Sequence, residues 1–427
     1  MTYFLFSIAL VILAIFGMPL FAVIAGFALL GFYLVLQLDP ALMIVEMYRL
    51  ASAPMLIALP LFTFAGYLLA ESKASTRLVN FSKAFMGWSP GGLAIVALAT
   101  CAMFTALTGA SGVTIIAIGG LLFPALIKEG YTEKFSLGLI TSSGSLGLLF
   151  PPSLPLIIYG IVSETSVEKL FIAGIVPGVL LVIMLSVYGG IKGTLAKVPR
   201  MKLSIRAIYQ ATRSAVWEIP IPFIILGGIY LGLLTASEAA AVVAFYILIV
   251  EIFIYRDIKL RNLPSIMVES MVLVGGILII MGAALGLTNY LIDQQVPMKL
   301  LDFMKIFIKS KITFLMMLNG FLLIVGCMMD IFSATVVVVP LIVPVARAFG
   351  IDPIHLGIIF LTNLEIGYST PPVGINLFIS SFRLKKPVLK LYAASIPFLV
   401  ILFIALLIIT YVPDLSLYLV KLMAVKQ

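Results

Sequence analysis

Two stretches of the chain carry one pattern of helix-breaking residues, set 220 positions apart. SLGLLFPPSLPLIIYG places Gly147, Pro151 and Pro152 where EIGYSTPPVGINLFIS places Gly367, Pro371 and Pro372. The same offset pairs Gly66 with Gly286, Pro124 with Pro344, Gly130 with Gly350, and Pro177 with Pro397. Proline removes a backbone donor and collides with the preceding turn, so a helix does not run unbroken through a Pro pair. The chain therefore reads as two copies of one unit, each interrupted at the same place.

What surrounds the breaks is apolar. Of 427 residues, 63% are hydrophobic and 11% charged, a composition suited to a bilayer rather than to water. The net charge of +9 does not mark a nucleic-acid binder. Lys and Arg sit between apolar runs, as membrane topology requires. The first charge is Asp39, so the opening apolar run lacks the basic region of a signal peptide and is expected to be a retained helix. Cys101 and Cys327 lie within apolar runs and read as small buried hydrophobes, not a disulfide. In a membrane chain, Gly/Pro breaks at matching places in two halves point to a transporter's binding site.

The apolar runs fall at 3–36, 42–70, 91–107, 111–127, 135–163, 168–191, 214–234, 236–255, 265–292, 313–329, 331–346, 354–382 and 388–413. A spanning helix needs roughly 20 apolar residues. The pairs 91–107/111–127 and 313–329/331–346 are short for two full spans and read as re-entrant hairpins. Backbone that stops inside the membrane is tolerated only where protein or water covers it.

Loop charge orients the copies. Arg383, Lys385, Lys386 and Lys390 fill one loop, whereas its twin, 163–170, has Glu164, Glu168 and Lys169. Arg256, Lys259 and Arg261 face a twin holding Asp39. The connector 192–213 carries Lys192, Lys197, Arg200, Lys202, Arg206 and Arg213. With the basic loops inside, the N-terminus is cytoplasmic, the C-terminus is outside, and the two hairpins enter from opposite faces of the membrane. The segment 293–311 disagrees: Lys299, Lys305, Lys309 and Lys311 land outside. Its pattern, VPMKLLDFMKIFIK, suits an amphipathic helix on the membrane surface. Met201, Leu203, Ile205 and Ile208 give the connector the same character, the alternative being a solvated linker.

Hydroxyls and glycines gather at the tips and breaks. Hairpin one turns through Thr108-Gly109-Ala110-Ser111-Gly112-Val113-Thr114, facing Thr141-Ser142-Ser143-Gly144-Ser145. Small residues admit close backbone approach, and hydroxyls with proline-freed carbonyls supply neutral oxygen ligands. Such a cage suits a hard monovalent cation such as Na⁺. Hairpin two turns through Asp330-Ile331-Phe332-Ser333-Ala334-Thr335, facing Thr362-Asn363-Leu364-Glu365-Ile366-Gly367-Tyr368-Ser369-Thr370. Across 91–127, 135–163, 313–346 and 354–382 the only formal charges are Asp330 and Glu365. A charge at mid-bilayer costs about 2.5–3.5 kcal/mol, so two acids and no base argue for bound cations. Asp330 also suits a helix cap, and Glu365 a structural hydrogen bond. Thr235-Ala236-Ser237-Glu238 reads as a capping box. His355 is expected at the surface. Arg49 either touches an anion or snorkels.

With these motifs in place the chain resembles the large membrane (M) subunit of a tripartite ATP-independent periplasmic (TRAP) transporter, of the ion transporter superfamily. TGASGVTIIAIGGLLFPALIKEGY, GLLFPPSLPLIIYG, FIAGIVPG, TASEAAAVVAFY and NLEIGYSTPPVGINLF carry the resemblance. It implies sodium-coupled secondary uptake of a small organic anion, of C4-dicarboxylate or sialic acid type. The implied mechanism is an elevator, in which a domain holding both hairpins slides through a scaffold. The implied partners are a separate small four-helix membrane subunit and a soluble periplasmic substrate-binding protein. By motif, Na⁺ site 1 would comprise Thr108, Gly109, Ser111, Ser143, Gly144 and Gly147, and site 2 Asp330, Ser333, Asn363, Gly367 and Thr370. Ser153, Arg49 and Thr335 are candidate substrate contacts. Ser333, where many relatives have Pro, and Ala110, where Ser is frequent, depart from the family pattern. No organic cofactor is implied.

The expected fold is thus an all-α polytopic membrane protein of two inverted repeats, each with a re-entrant hairpin and a broken helix. Residues 1–90 would be scaffold helices of repeat 1, and 91–165 the first transport segment. Residues 166–312 would hold scaffold helices and interfacial connectors, with repeat 2 starting near 236. Residues 313–384 would be the second transport segment and 385–427 a C-terminal scaffold helix. The rivals are a stand-alone sodium/anion symporter needing no binding protein, a channel, and an intramembrane enzyme, which the sequence offers no HExxH, Asp pair or Ser–His constellation to support.

Overall fold

The computed structural model describes residues 9–10, 12–14, 16–37, 39, 41–198, 203–308 and 310–424. Arg200, Met201, Lys202 and Lys309 lie outside the described residues, as do the first residues of the opening apolar run. Every regular element among the described residues is helical. Helices α1 (Leu20–Leu30), α2 (Ala41–Ala51), α3 (Ala58–Glu71) and α4 (Ala74–Met86) precede the first hairpin, whose arms are α5 (Gly92–Thr108) and α6 (Ser111–Lys128). The first broken helix consists of α7 (Glu133–Ser143), a 3-10 turn at Leu146–Leu149, and α8 (Leu154–Val162), bent by 47°. Then come α9 (Val167–Leu195), α10 (Ile205–Ser214) and α11 (Pro220–Tyr230).

The second copy repeats the order. It runs α12 (Ala236–Ile254), α13 (Leu263–Asp293), α14 (Val296–Phe307), α15 (Lys311–Met328), α16 (Ile331–Ala348), α17 (Pro353–Gly367), α18 (Ile375–Leu384) and α19 (Val388–Tyr411), and α20 (Asp414–Ala424) closes the chain. The Pro pairs do what their chemistry demands: α7–α8 and α17–α18 are both interrupted at them.

The helices pack as two bodies. In the first, α13 lies against α1, α2 and α3, and α12 against α3 and α11. In the second, the hairpins and broken helices gather together, with α9 against α5, α8, α17 and α19, and α19 against α7, α17 and α18. The bodies meet where α3 touches α5 and α8, and where α13 touches α16. α4 joins α5 to α10, and α14 rests on α16. On α10 the apolar Ile205 and Tyr209 are exposed while Ala211 is buried, and on α14 Phe303, Ile306 and Phe307 stand outside the bundle. That is the arrangement of helices whose apolar face meets lipid at the interface.

An ion-pair knot pins α4. The Arg77 guanidinium donates to Glu218 and Asp257 and, at 2.8 and 3.1 Å, to both oxygens of Glu251. It also lies 3.8 Å over the Tyr255 ring. These acids are almost fully buried, and each would carry a heavy desolvation cost without the arginine. At +220, the twin of Arg77 is Pro297, so α14 has no equivalent knot.

His355 is not at the surface. It is buried, with Nδ1 3.2 Å from Ser416 Oγ and Nε2 3.2 Å from the Thr410 carbonyl. The end of α19 and the start of α20 fold over the start of α17 and cover it.

Candidate ion and substrate site

The tips are tighter than the sequence suggests. Hairpin one reverses at Gly109 (φ +69°) and Ala110, and Ser111 already begins α6. Hairpin two reverses at Met329 and Asp330, so Ser333 lies in the first turn of α16.

Each broken helix seats a glycine against the first arm of its own hairpin. A Cβ on Gly147 would lie 2.3 Å from the Ala102 carbonyl and 2.5 Å from the Ala106 nitrogen. One on Gly367 would lie 2.4 Å from the Gly326 backbone, and Gly326 is the twin of Ala106. These are approaches only glycine allows. A second glycine changes sides between copies. At tip one, Gly109 makes room for Leu154, 2.6 Å from where its Cβ would be. At site two the tip residue is Met329, and the twin of Leu154 is Gly374, whose N–H bonds the Cys327 carbonyl.

Site one is a nest of neutral oxygens. Thr105 Oγ1 lies 2.7 Å from Thr114 Oγ1 and 2.8 Å from the Gly144 carbonyl. A carbonyl can only accept, so Thr105 donates to Gly144 and accepts from Thr114. Thr108 donates to the Phe104 carbonyl and Ser143 to the Ile140 carbonyl. Hydroxyls whose protons point back along their own helix keep oxygen lone pairs for an electropositive partner. Gly144 packs against Ile115 and lies near the Ser111 carbonyl. Thr105 was not among the sequence candidates, and Thr114 was named only as the end of the tip segment. Their signal was positional, with one hydroxyl four residues before Gly109 and one four residues after Ala110.

Site two is built differently. Asp330 Oδ1 caps α16, accepting from Phe332 and Ser333 N–H at 3.0 Å each, and the Ile331 N–H donates to the Tyr368 hydroxyl. Thr370 donates to the Ile366 carbonyl and Thr335 to the Ile331 carbonyl. Asn363 sends its amide N–H groups to Asn319 Oδ1 and the Ile359 carbonyl, leaving Oδ1 buried without a partner. Asn319 in turn donates to Thr410 Oγ1. The two copies touch at twin positions, where Ser145 Oγ lies 3.4 Å from the Glu365 carbonyl. The Glu365 side chain is buried and faces the Leu149 backbone.

The candidate substrate contacts sit on three different elements. Ser153 caps α8 through the Leu156 N–H and is buried, and Thr335 is buried inside hairpin two. Arg49 lines a cleft of about 370 Å³ between the bodies, together with Arg347, Ser163, Glu164, Thr288 and Asn289. Glu238 completes the capping box with Thr235, and Cys101 and Cys327 are free thiols in buried positions. No three His, Cys, Asp or Glu side chains converge on a metal position among the described residues. The oxygen sets suit a monovalent ion better than a divalent one, which asks for several carboxylates.

The sequence matches the family model of the tripartite ATP-independent periplasmic transporter, DctM component, over residues 7–415. The chain belongs to the TRAP transporter family. It is similar to the C4-dicarboxylate TRAP transporter large permease protein DctM of Pseudomonas aeruginosa, 38% identical over 374 residues, covering 87% of this chain and 88% of that one. The Vibrio cholerae protein of the same description is 36% identical, covering 85% of each. Among solved structures, the Alcanivorax borkumensis YdaH transporter aligns with a TM-score of 0.61 at 13% identity, over 86% of each chain, a likeness of fold. This TRAP large permease is thus a multi-pass membrane transporter subunit and not an enzyme.

Proposed function

We propose that this permease carries a small organic anion inward on a sodium gradient by elevator movement of the hairpin-bearing body. The carrying observation is where the twofold relation fails. Inside the bodies, twin contacts match: α13 on α1 answers α12 on α3, and α8 on α16 answers α18 on α6. At the boundary they do not. α3 packs on α5, but α13 has no comparable contact with α15 and packs instead on α16. Such asymmetry is what one end of a sliding motion leaves behind, the mirror arrangement being the other end. The helices α9 and α19 travel with the hairpins in this reading.

The neutral oxygen nest at the first tip and the Asp330 carboxylate at the second support Na⁺ as coupling ion, held by Thr108, Ser111, Ser143 and backbone oxygens at site one. At site two, Asp330 and the free Asn363 oxygen would hold it. Each charge moving through 100 mV adds about 2.3 kcal/mol. A C4-dicarboxylate is the first substrate candidate, from the names of the relatives, and a sialic acid the second. Delivery would need a periplasmic binding protein and a separate four-helix subunit in the bacterial inner membrane, with the N-terminus cytoplasmic and the C-terminus periplasmic. The test is uptake of labelled succinate, and separately of sialic acid, into proteoliposomes holding both membrane subunits. Uptake should require external Na⁺ and the binding protein. Equal uptake in K⁺ refutes sodium coupling, and equal uptake without the binding protein supports the stand-alone symporter.

A further inference from the structure

Two cavities on the outer face of the hairpin-bearing body join at one residue. The first, about 410 Å³, is lined by Lys134 and Lys192, the Thr132 hydroxyl, and the rings of Tyr131, Tyr188 and Phe398. The second, about 580 Å³, is an apolar groove running down α9 against Pro90 and Ile95. Leu195 lines both.

The groove has a helical logic. Ile183, Val187, Ile191 and Leu195 recur every fourth residue and are 54%, 58%, 54% and 71% exposed. Twelve residues of helix rise about 18 Å, close to the ~15 Å depth of one leaflet of a 30 Å hydrocarbon core. Gly190 lies within the groove, where its lack of a side chain deepens the floor. Trp88, on the turn just before Pro90, is exposed with its indole N–H on the Phe85 carbonyl. An exposed tryptophan there marks headgroup level.

The upper cavity is basic and unneutralised. Neither Lys134 nor Lys192 makes an ion pair among the described residues, and the neighbouring Glu133 is engaged by Lys386. Lys192 Nζ lies 5.7 Å over the Tyr188 ring. The buried Tyr131 hydroxyl lies beside the Ala94 backbone. The basic loops assign this end of α9 to the cytoplasmic side, where anionic lipids collect and basic pockets between helices take their headgroups.

We propose that this surface binds one anionic phospholipid, its phosphate between Lys134 and Lys192 and one acyl chain along Ile183–Leu195. The lipid would ride on the hairpin-bearing body. The site does not depend on the ion coupling or substrate assigned above. Native mass spectrometry of the purified full-length chain with phosphatidylglycerol, phosphatidylcholine or sodium phosphate tests it. One phosphatidylglycerol should be retained in preference to phosphatidylcholine. The K134Q/K192Q variant should lose that preference, with occupancy down on the order of tenfold. I191W, a substitution on the lipid-exposed face, should lower phosphatidylglycerol occupancy by filling the groove. Equal retention of the two lipids, or unchanged retention in K134Q/K192Q, means annular lipid only and overturns the proposal. Displacement of the lipid by sodium phosphate would show that the lysines read a bare anion, and would likewise overturn it.

Discussion

Pro151 and Pro152 are buried, whereas their twins Pro371 and Pro372 are exposed. Both breaks carry the same Gly and Pro-Pro spacing, and the difference in exposure follows what each break faces. Gly66 on α3 presses on the tip of hairpin one, where its Cβ would sit 2.7 Å from Thr108 backbone atoms. Its twin Gly286 on α13 faces Met43 at 3.1 Å and does not touch hairpin two. Two copies of one unit are thus held in two different settings. The repeat fixes how each hairpin meets its own broken helix, and the boundary between the bodies decides which of them is covered.

The largest effect should come from the one strong element that only one copy possesses. Arg77→Ala leaves Glu218, Glu251 and Asp257 buried without their shared cation. Removing one partner of a buried pair typically costs 3–5 kcal/mol, and here three acids lose it. Thermal unfolding of the detergent-solubilised chain should fall sharply. Lys299→Ala, on the twin helix α14, should leave it nearly unchanged. Equal melting of the two variants would mean that α4 is not pinned by the knot.

Next come the two glycines at the boundary. Gly66→Val drives a side chain into backbone that cannot yield, and overpacking of this kind costs about 1–3 kcal/mol. It should destabilise the arrangement seen here. Gly286→Val meets the flexible Met43 side chain at 3.1 Å and Ala28 at 3.8 Å, with no backbone in the way, and should leave this arrangement intact. If the bodies alternate, Gly286 must face hairpin two in the mirror arrangement, so Gly286→Val should still depress uptake. Normal melting with normal uptake in Gly286→Val would break the elevator reading.

The repeats, the breaks, the hairpins and the two surface helices were legible because each rests on local chemistry that composition reveals. Pro pairs break helices, and an amphipathic pattern such as VPMKLLDFMKIFIK has only one comfortable place in a membrane. The rest depended on residues brought together from afar. Nothing near His355 announces that α20 will cover it, and nothing near Arg77 announces that acids at 218, 251 and 257 will reach it. The tips read too long because hydroxyls were counted as turn residues, although Ser111 and Ser333 already lie in helices. Thr105 holds the first tip from outside the stretch that attracts the eye, and Tyr368 holds the second through a hydroxyl that reads as part of the break.

The carboxylate that only hairpin two carries separates capping from charge. Asp330→Asn retains a good N-cap and removes the charge, whereas Asp330→Ala removes both and costs about 1 kcal/mol of helix stability. If the charge holds an ion, Asp330→Asn should raise the Na⁺ concentration for half-maximal uptake at least tenfold, about 1.4 kcal/mol, with melting unchanged. If the residue only caps, Asp330→Asn behaves as wild type and Asp330→Ala alone is impaired. Hairpin one has Ala110 at this position, so its ion site should respond to hydroxyl removal instead.

The smallest effects concern the bonds across each tip. Thr105→Val removes the donor to the Gly144 carbonyl and the acceptor for Thr114, while keeping the volume. Tyr368→Phe removes the acceptor for the Ile331 N–H. A typical intramolecular hydrogen bond contributes about 0.5–1.5 kcal/mol, but a buried group left unsatisfied costs about 1–3. Thr105→Val strands two buried oxygens, Thr114 Oγ1 and the Gly144 carbonyl, although Thr114 can turn to the Ala110 carbonyl 3.4 Å away. Tyr368→Phe strands one backbone donor, Ile331 N–H, beside a tip that Asp330 still caps. Both variants should therefore melt slightly below wild type and by similar amounts. Only Thr105→Val should also weaken Na⁺ dependence, because it alone disturbs a hydroxyl set facing the proposed ion. An equal change in Na⁺ dependence for both would mean that the tips act as mechanical clasps, and that the neutral nest of the first copy has no special affinity for a cation.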